Sequence, residues 1–214
     1  MKKRKFEAVL FDMDGTLLDT KEYLFQAYKY SIMRHLKRKV CWKEIAPTLG
    51  LSFKECYRIL TGLEDVEELM KTHDEFQYQN LHLITAYPNT RKVLKALKLA
   101  GVTMGVVTNR YGKQVQESLE LAGVRQYFKV VITPEEVDKP KPDPEPIHLA
   151  LTKLRVMSKE TIVVGDSPCD IQAGKNAGCK TIGAGHGYHG RKLVKTEPDY
   201  MISDIKDVLP IILA

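Results

Sequence analysis

Cysteine is scarce in this chain of 214 residues: only Cys41, Cys56, Cys169 and Cys179, with no C-x-x-C spacing among them. Thiols scattered in this way argue against a disulfide scaffold and a cysteine zinc site, and point to a reducing compartment. No apolar run is long enough to span a membrane. No signal-type apolar stretch follows the basic start Met1-Lys2-Lys3-Arg4-Lys5, so the chain reads as cytoplasmic. Repeats and low-complexity segments are also missing. No zinc finger or RNP-like aromatic motif supports a nucleic-acid partner.

What is present is a globular composition, 43% hydrophobic and 28% charged, with a net charge of +6. That is enough chain for one substantial core, or for a core with a smaller insertion. The positive charge is spread, with local runs at Lys2–Lys5 and Arg34–Lys39 that read as solvated surface.

Short apolar runs at Ala8–Phe11, Met104–Val107, Val130–Ile132, Ile162–Val164 and Thr181–Ile182 predict buried parallel strands. Amphipathic segments alternate with them: Thr90–Ala100, Lys113–Ala122, Ile147–Leu154 and Ile171–Ala177. The first two are stopped by Gly101 and Gly123. This alternation predicts a doubly wound α/β domain with a parallel sheet covered on both faces. From about Leu17 to Leu83 the alternation fails. Helical patterns at Tyr23–Leu36, Trp42–Leu49, Ser52–Leu60 and Val66–Leu83 predict a helical insert after the first strand.

In open α/β sheets, ligands bind beyond the carboxyl ends of the strands. The first strand ends at Asp12-Met13-Asp14-Gly15-Thr16, and alternation would turn both carboxylates to one side. Other strand ends and loops bring Thr108-Asn109-Arg110, Lys139-Pro140-Lys141-Pro142-Asp143-Pro144 and Gly165-Asp166-Ser167-Pro168-Cys169-Asp170. Carboxylates with a lysine and hydrogen-bond donors suit a divalent cation and a phosphoryl group. Plainer roles exist as well: Thr108, Asp166 and Asp170 as helix caps, Cys169 as loop filler, and Gly183–Gly190, with His186 and His189, as a flexible surface loop.

The motifs D-x-D-G-T, T-N, K-P-x-P and G-D-S-x-x-D occur in this order, and together the chain resembles the haloacid dehalogenase superfamily of phosphohydrolases from Phe6 to about Gly185. The resemblance implies a Rossmann-like core of residues 1–17 and 85–214, with residues 18–84 as a mobile helical cap. It implies that Asp12 is the nucleophile of an aspartyl-phosphate mechanism and Asp14 the general acid and base. Mg²⁺ would be held by Asp12, the main-chain carbonyl of Asp14 and Asp166, with Asp170 behind them. Thr16, Thr108, the Asn109 backbone amide and Gly50 would meet the phosphoryl group or substrate. Lys141 would offset charge. Lys139 is the alternative, but the run from Lys141 through Pro146 to Leu151 fits the family's register better.

The Thr-Asn pair, the Lys-Pro-Asp-Pro-Glu-Pro string and the tail around Pro198–Met201 look most like phosphoglycolate phosphatases and PpaX-type pyrophosphatases. The implied partner is a small, doubly anionic phosphorylated substrate, with no nucleic acid or membrane, and the protein a monomer or homodimer. Lys43, Lys54 and Arg58 are candidates for the second anionic group. Asp14 argues against phosphonoacetaldehyde hydrolysis. Leu24 stands where a β-phosphoglucomutase usually has histidine, which weakens a mutase reading. A sugar phosphatase or phosphomutase of that type is the alternative within the class; a non-catalytic phosphometabolite-binding regulator is the alternative outside it.

Overall fold

The computed structural model describes residues 5–214, so the basic run Lys2–Lys5 lies outside the described residues except for Lys5. Lys5 donates from Nζ to the Tyr200 hydroxyl at 2.9 Å. The strands are β1 (Ala8–Phe11), β2 (Leu18–Asp19), β3 (Thr85–Ala86), β4 (Thr103–Val107), β5 (Val130–Ile132), β6 (Thr161–Gly165), β7 (Lys180–Ala184) and β8 (Tyr200–Ile202). Six form one parallel sheet in the order β5-β4-β1-β6-β7-β8.

Central position explains the unbroken apolar run of β1, whose four residues are all 0% exposed. Val9 and Phe11 face one side, with Val106 and Val164, under α5 (Thr90–Leu99), α6 (Gln114–Leu121) and α9 (Val208–Leu213). Leu10 faces the other, with Val107 and Val163, under α7 (Glu145–Leu154) and α8 (Pro168–Asn176). Each such buried side chain contributes about 1.5–3 kcal/mol. The doubly wound expectation therefore holds. The helix starts differ from the sequence pattern where proline and serine set them: α8 begins at Pro168, with Ser167 as its N-cap.

Between β2 and β3 lie α1 (Lys21–Leu36), α2 (Trp42–Ile45), α3 (Phe53–Thr61) and α4 (Glu67–Gln79). They surround their own apolar cluster, which includes Tyr28, Ile32, Ile45, Tyr57, Leu60 and Leu69. A single-turn 3₁₀ helix at Ala46–Thr48, carrying Pro47, follows α2 directly and shortens the expected Trp42–Leu49 helix. Ser52 caps α3 by accepting from the Glu55 amide at 3.3 Å, and Gly62, at φ 73°, ends it. The whole helical segment leaves and re-enters through a two-stranded antiparallel ribbon, Leu18 opposite Ala86 and Asp19 opposite Thr85. Among the described residues all four cysteines are free, and no helix is long and apolar enough to cross a membrane.

Candidate active site

Asp12 stands one residue past β1, where the sheet stops covering the chain. Its Oδ1 accepts from Lys141 Nζ at 2.8 Å. The same ammonium donates to Asp170 Oδ1 at 2.5 Å and to the Val107 carbonyl at 2.7 Å. The Lys141 side chain is 3% exposed, so all three of its donors are spent inside the protein. Lys139 is exposed. Between the two lysines the structure therefore brings Lys141 to the aspartates. Burial alone would lower the Lys141 pKa, but Asp12 and Asp170 reverse this and raise it above the ordinary lysine value. Burial pushes the Asp12 carboxyl up to about 7 against the pull of the lysine.

The two aspartates of the first motif do not share a partner. A tight turn starts at Met13, whose carbonyl accepts from the amides of Leu17 and Leu18, and this breaks the alternation expected from an extended strand. Asp14 is turned toward Thr20, whose hydroxyl donates to it at 2.6 Å, and toward Arg110 Nη1 at 3.2 Å. The Thr20 hydroxyl also pairs with that of Tyr188. The expectation that alternation turns both carboxylates to one side is corrected here: the side-chain cluster is Asp12, Asp166 and Asp170, with oxygens all within 4.8 Å of one another. All three residues are buried. An all-oxygen acidic donor set of this kind suits a hard divalent cation. Counting Asp14, four carboxylates face two cations, Lys141 and Arg110.

Asp166 has no ion-pair partner within 4 Å among the described residues; its Oδ2 accepts from the Tyr188 amide at 2.7 Å. Burial first, then the charges of Asp12 and Asp170, hold its carboxyl well above the usual range. Two glycines let backbone close on it. Gly15, at φ 85°, would place a Cβ 2.7 Å from Asp166 Cγ, and Gly187 would place one 2.5 Å from Asp166 Oδ2. The segment around His186 and His189 is thus no flexible surface loop. Residues 185–190 are half-buried, and the His186 ring packs on Tyr87. Gly187→Ala is expected to cost about 1–3 kcal/mol through overpacking, read as a Tm lowered by several degrees. An unchanged Tm would show that the loop yields freely.

Most of the residues singled out in the sequence line one cavity of about 90 Å³: Asp12, Asp14, Gly50, Thr108, Asn109, Lys141 and Asp166. Thr16 does not line it; this buried residue turns its hydroxyl toward Asp166 Oδ1 at 3.5 Å. Asp170 stands behind Lys141 and takes the Ser167 amide and hydroxyl on its other oxygen. Thr108 is no helix cap, since α6 starts at Gln114; its hydroxyl accepts from the Arg110 amide at 3.1 Å. Asn109 spends its side chain on structure, donating to the Gly50 and Lys141 carbonyls and accepting from the Lys141 amide.

The helical segment supplies apolar walls, Leu24, Leu49, Leu51 and Phe53, together with His73, Asp74 and Gln77 of α4. The Asp74 carboxyl is pushed up to about 6 by burial. Lys43, Lys54 and Arg58 do not reach the cavity; all three are exposed, and Arg58 pairs with Glu64 at 3.1 Å. Sequence patterning gave no role to Arg110 and passed over Tyr188 and the α4 residues His73, Asp74 and Gln77, all of which line the cavity. Arg110 adjoins the Thr-Asn pair, but nothing in the local pattern showed that it meets Asp14.

Comparison with known proteins follows the same geometry. A model of the haloacid dehalogenase-like hydrolase family matches residues 9–184. The chain is 34% identical to pyrophosphatase PpaX of Bacillus velezensis over 213 residues, 99% of this chain and 98% of that protein. It is 31% identical to PpaX of Bacillus anthracis over 210 residues, 97% of each. A crystal structure from Haemophilus somnus 129PT, described as a predicted phosphoglycolate phosphatase, superposes with a TM-score of 0.90 at 25% identity, over 97% and 98% of the two chains. A variant of CbbY from Rhodobacter sphaeroides, solved with xylulose-(1,5)bisphosphate, shares the fold at a TM-score of 0.81 and 21% identity, over 94% and 96%. With the family model spanning most of the chain and the four motifs gathered at one end of the sheet, the chain belongs to the haloacid dehalogenase-like hydrolase family.

Proposed function

We propose that the protein is a Mg²⁺-dependent phosphohydrolase of a small phosphorylated metabolite, a phosphoglycolate-like monoester or pyrophosphate. The observation that carries this reading is the Lys141 ammonium seated between Asp12 and Asp170 at the wall of a cavity. A carboxylate is repelled by a phosphoryl dianion, so an adjacent buried cation makes its attack feasible.

Asp12 attacks phosphorus and forms a covalent acyl-phosphate as the bond to the leaving oxygen breaks. Asp14 gives a proton to that oxygen, then takes one from the water that splits the acyl-phosphate and restores Asp12. Thr20 and Arg110 fix Asp14 for this work. Lys141 orients Asp12 and offsets charge. The surplus of buried carboxylate fits Mg²⁺, with Asp12, Asp166 and the main-chain carbonyl of Asp14 as its holders and Asp170 in support. When bound, the ion would polarise the phosphoryl oxygens and balance their charge.

Residues 18–84 act as a cap that closes over the leaving group and excludes water. The small cavity favours a small substrate, since drug-sized ligands fill about 300–1,000 Å³. The PpaX relatives are pyrophosphatases by name, and the Haemophilus somnus neighbour carries the phosphoglycolate description. The test is phosphate release from pyrophosphate, 2-phosphoglycolate and a panel of sugar phosphates. Turnover is expected with Mg²⁺, background release after chelation, and recovery when Mg²⁺ is restored. No turnover of any of these compounds with Mg²⁺ overturns the reading.

A further inference from the structure

Arg110 is a cavity cation whose charge is only half used. Its side chain is 8% exposed. Nη1 is anchored on Asp14, and the guanidinium carbon lies 4.6 Å from the centre of the Tyr23 ring, which covers it. Nε and Nη2 are buried and have no hydrogen-bond partner. Those two nitrogens form one edge of the guanidinium, the edge that meets a carboxylate or phosphoryl group with two parallel hydrogen bonds. Buried donors left unpaired are costly, so a native site that keeps two of them on one edge needs a complement. Among the described residues no second carboxylate meets that edge: Asp14 is already taken at Nη1, and Asp74 of α4, though it lines the same cavity, forms no ion pair with Arg110.

We infer that the free edge of Arg110 receives a second oxyanion on the leaving-group side of the substrate, and that this selects doubly anionic compounds over singly phosphorylated neutral ones. The inference rests on the phosphohydrolase reading above and adds the residue that would select for the second anionic group. Its position carries the assignment. Arg110 holds the aspartate that serves the leaving oxygen, whereas Lys141 holds the aspartate that meets phosphorus. A group bonded through the leaving oxygen therefore comes to Arg110's side. The complement can be a carboxylate or a phosphoryl group, because both offer two coplanar acceptors to a fork. The exposed cations of the helical segment do not reach this place.

The experiment compares kcat/KM for 2-phosphoglycolate, pyrophosphate and 2-hydroxyethyl phosphate, whose far end is neutral. Wild type is expected to prefer the two anionic compounds. Arg110→Gln is expected to shrink that preference by about 10- to 100-fold, the size of two lost charge-assisted hydrogen bonds. Arg110→Lys, which keeps the charge without the fork, recovers part of it. An equal fall for all three substrates overturns the inference, since Arg110 then serves Asp14 alone. A binding arm uses the Asp12→Asn protein loaded with Mg²⁺ and titrated with 2-phosphoglycolate or pyrophosphate in a calorimeter. Adding Arg110→Gln should raise Kd by a similar factor, and an unchanged Kd again overturns it. Wild type inactive on all three compounds would sink the phosphohydrolase reading, while the binding arm would still judge Arg110. If the glutamine variant fails to fold, Arg110→Lys decides on both readouts.

Discussion

Asp12→Asn is expected to reduce turnover by about 10⁴-fold or more, yet to melt no lower than wild type. The first half follows from the loss of the attacking oxygen; removing a nucleophile elsewhere costs at least that much, over 5 kcal/mol of barrier. The second half follows from the electrostatics. Burial holds the Asp12 carboxyl at about 7, so its charged form is disfavoured in the folded protein. A neutral amide of the same shape avoids that penalty, while Lys141 keeps Asp170 and the Val107 carbonyl. Phosphate release with Mg²⁺ present, and thermal melting of the metal-free protein with chelator, both at pH 8, measure the two. Activity above about one hundredth of wild type in a folded variant removes Asp12 as the nucleophile.

Lys141→Met should have the largest effect on stability. It leaves Asp12, Asp166 and Asp170 as uncompensated neighbours, a loss of about 3–5 kcal/mol for a buried pair broken from one side. The loss depends on pH in a definite direction. Asp12 and Asp166 have folded pKa values raised above their unfolded ones, so the folded state binds more protons in the window from about pH 4 upward. Stability contributed by that proton uptake is present at low pH and is lost as pH rises through the raised values. Lys141 pulls both carboxyls down, so its loss raises them further, and urea unfolding of the metal-free variant should show a smaller deficit against wild type at pH 5 than at pH 8. Lys139→Met, at an exposed position, should stay within about 0.5 kcal/mol of wild type. Equal stability of wild type and Lys141→Met at pH 8 would mean that water, not the lysine, compensates the aspartates.

The strands nearest the chemistry were legible because burial on both faces writes itself into sequence as an unbroken apolar run. Ala8–Phe11 and Ile162–Val164 are of that kind, and the polar residues that follow them stand out by contrast. The edge strand β8 and the ribbon have no such mark, although the other edge, β5, was apolar enough to read. Tyr200–Ile202 is three residues long with Tyr200 and Met201 only half-buried, and β2 and β3 have two residues each. Arg110 was hidden for a different reason. Its partners Asp14 and Tyr23 are 96 and 87 positions away in the chain, and a lone arginine at a strand end has no periodicity to betray it. The stretch Gly183–Gly190 reads as a flexible loop because glycine permits both freedom and close approach, yet Gly183 and Ala184 close β7. Only the position of Asp166 beside Gly187 tells the two apart. Cations on α2 and α3 were legible as charges but not as distances, and distance leaves them outside the cavity.

The ribbon of Leu18–Asp19 against Thr85–Ala86 makes the helical segment a replaceable part. Its entry and exit strands are hydrogen-bonded neighbours, so its two ends lie about 5 Å apart. A stretch whose ends nearly touch can be exchanged for a two-residue turn or a longer module without shifting any strand of the six-stranded sheet. Gene-level grafting at those two seams would then change what the catalytic end of the sheet is offered, provided the new module restores the hydroxyl that Thr20 gives to Asp14 and the ring that Tyr23 lays on Arg110.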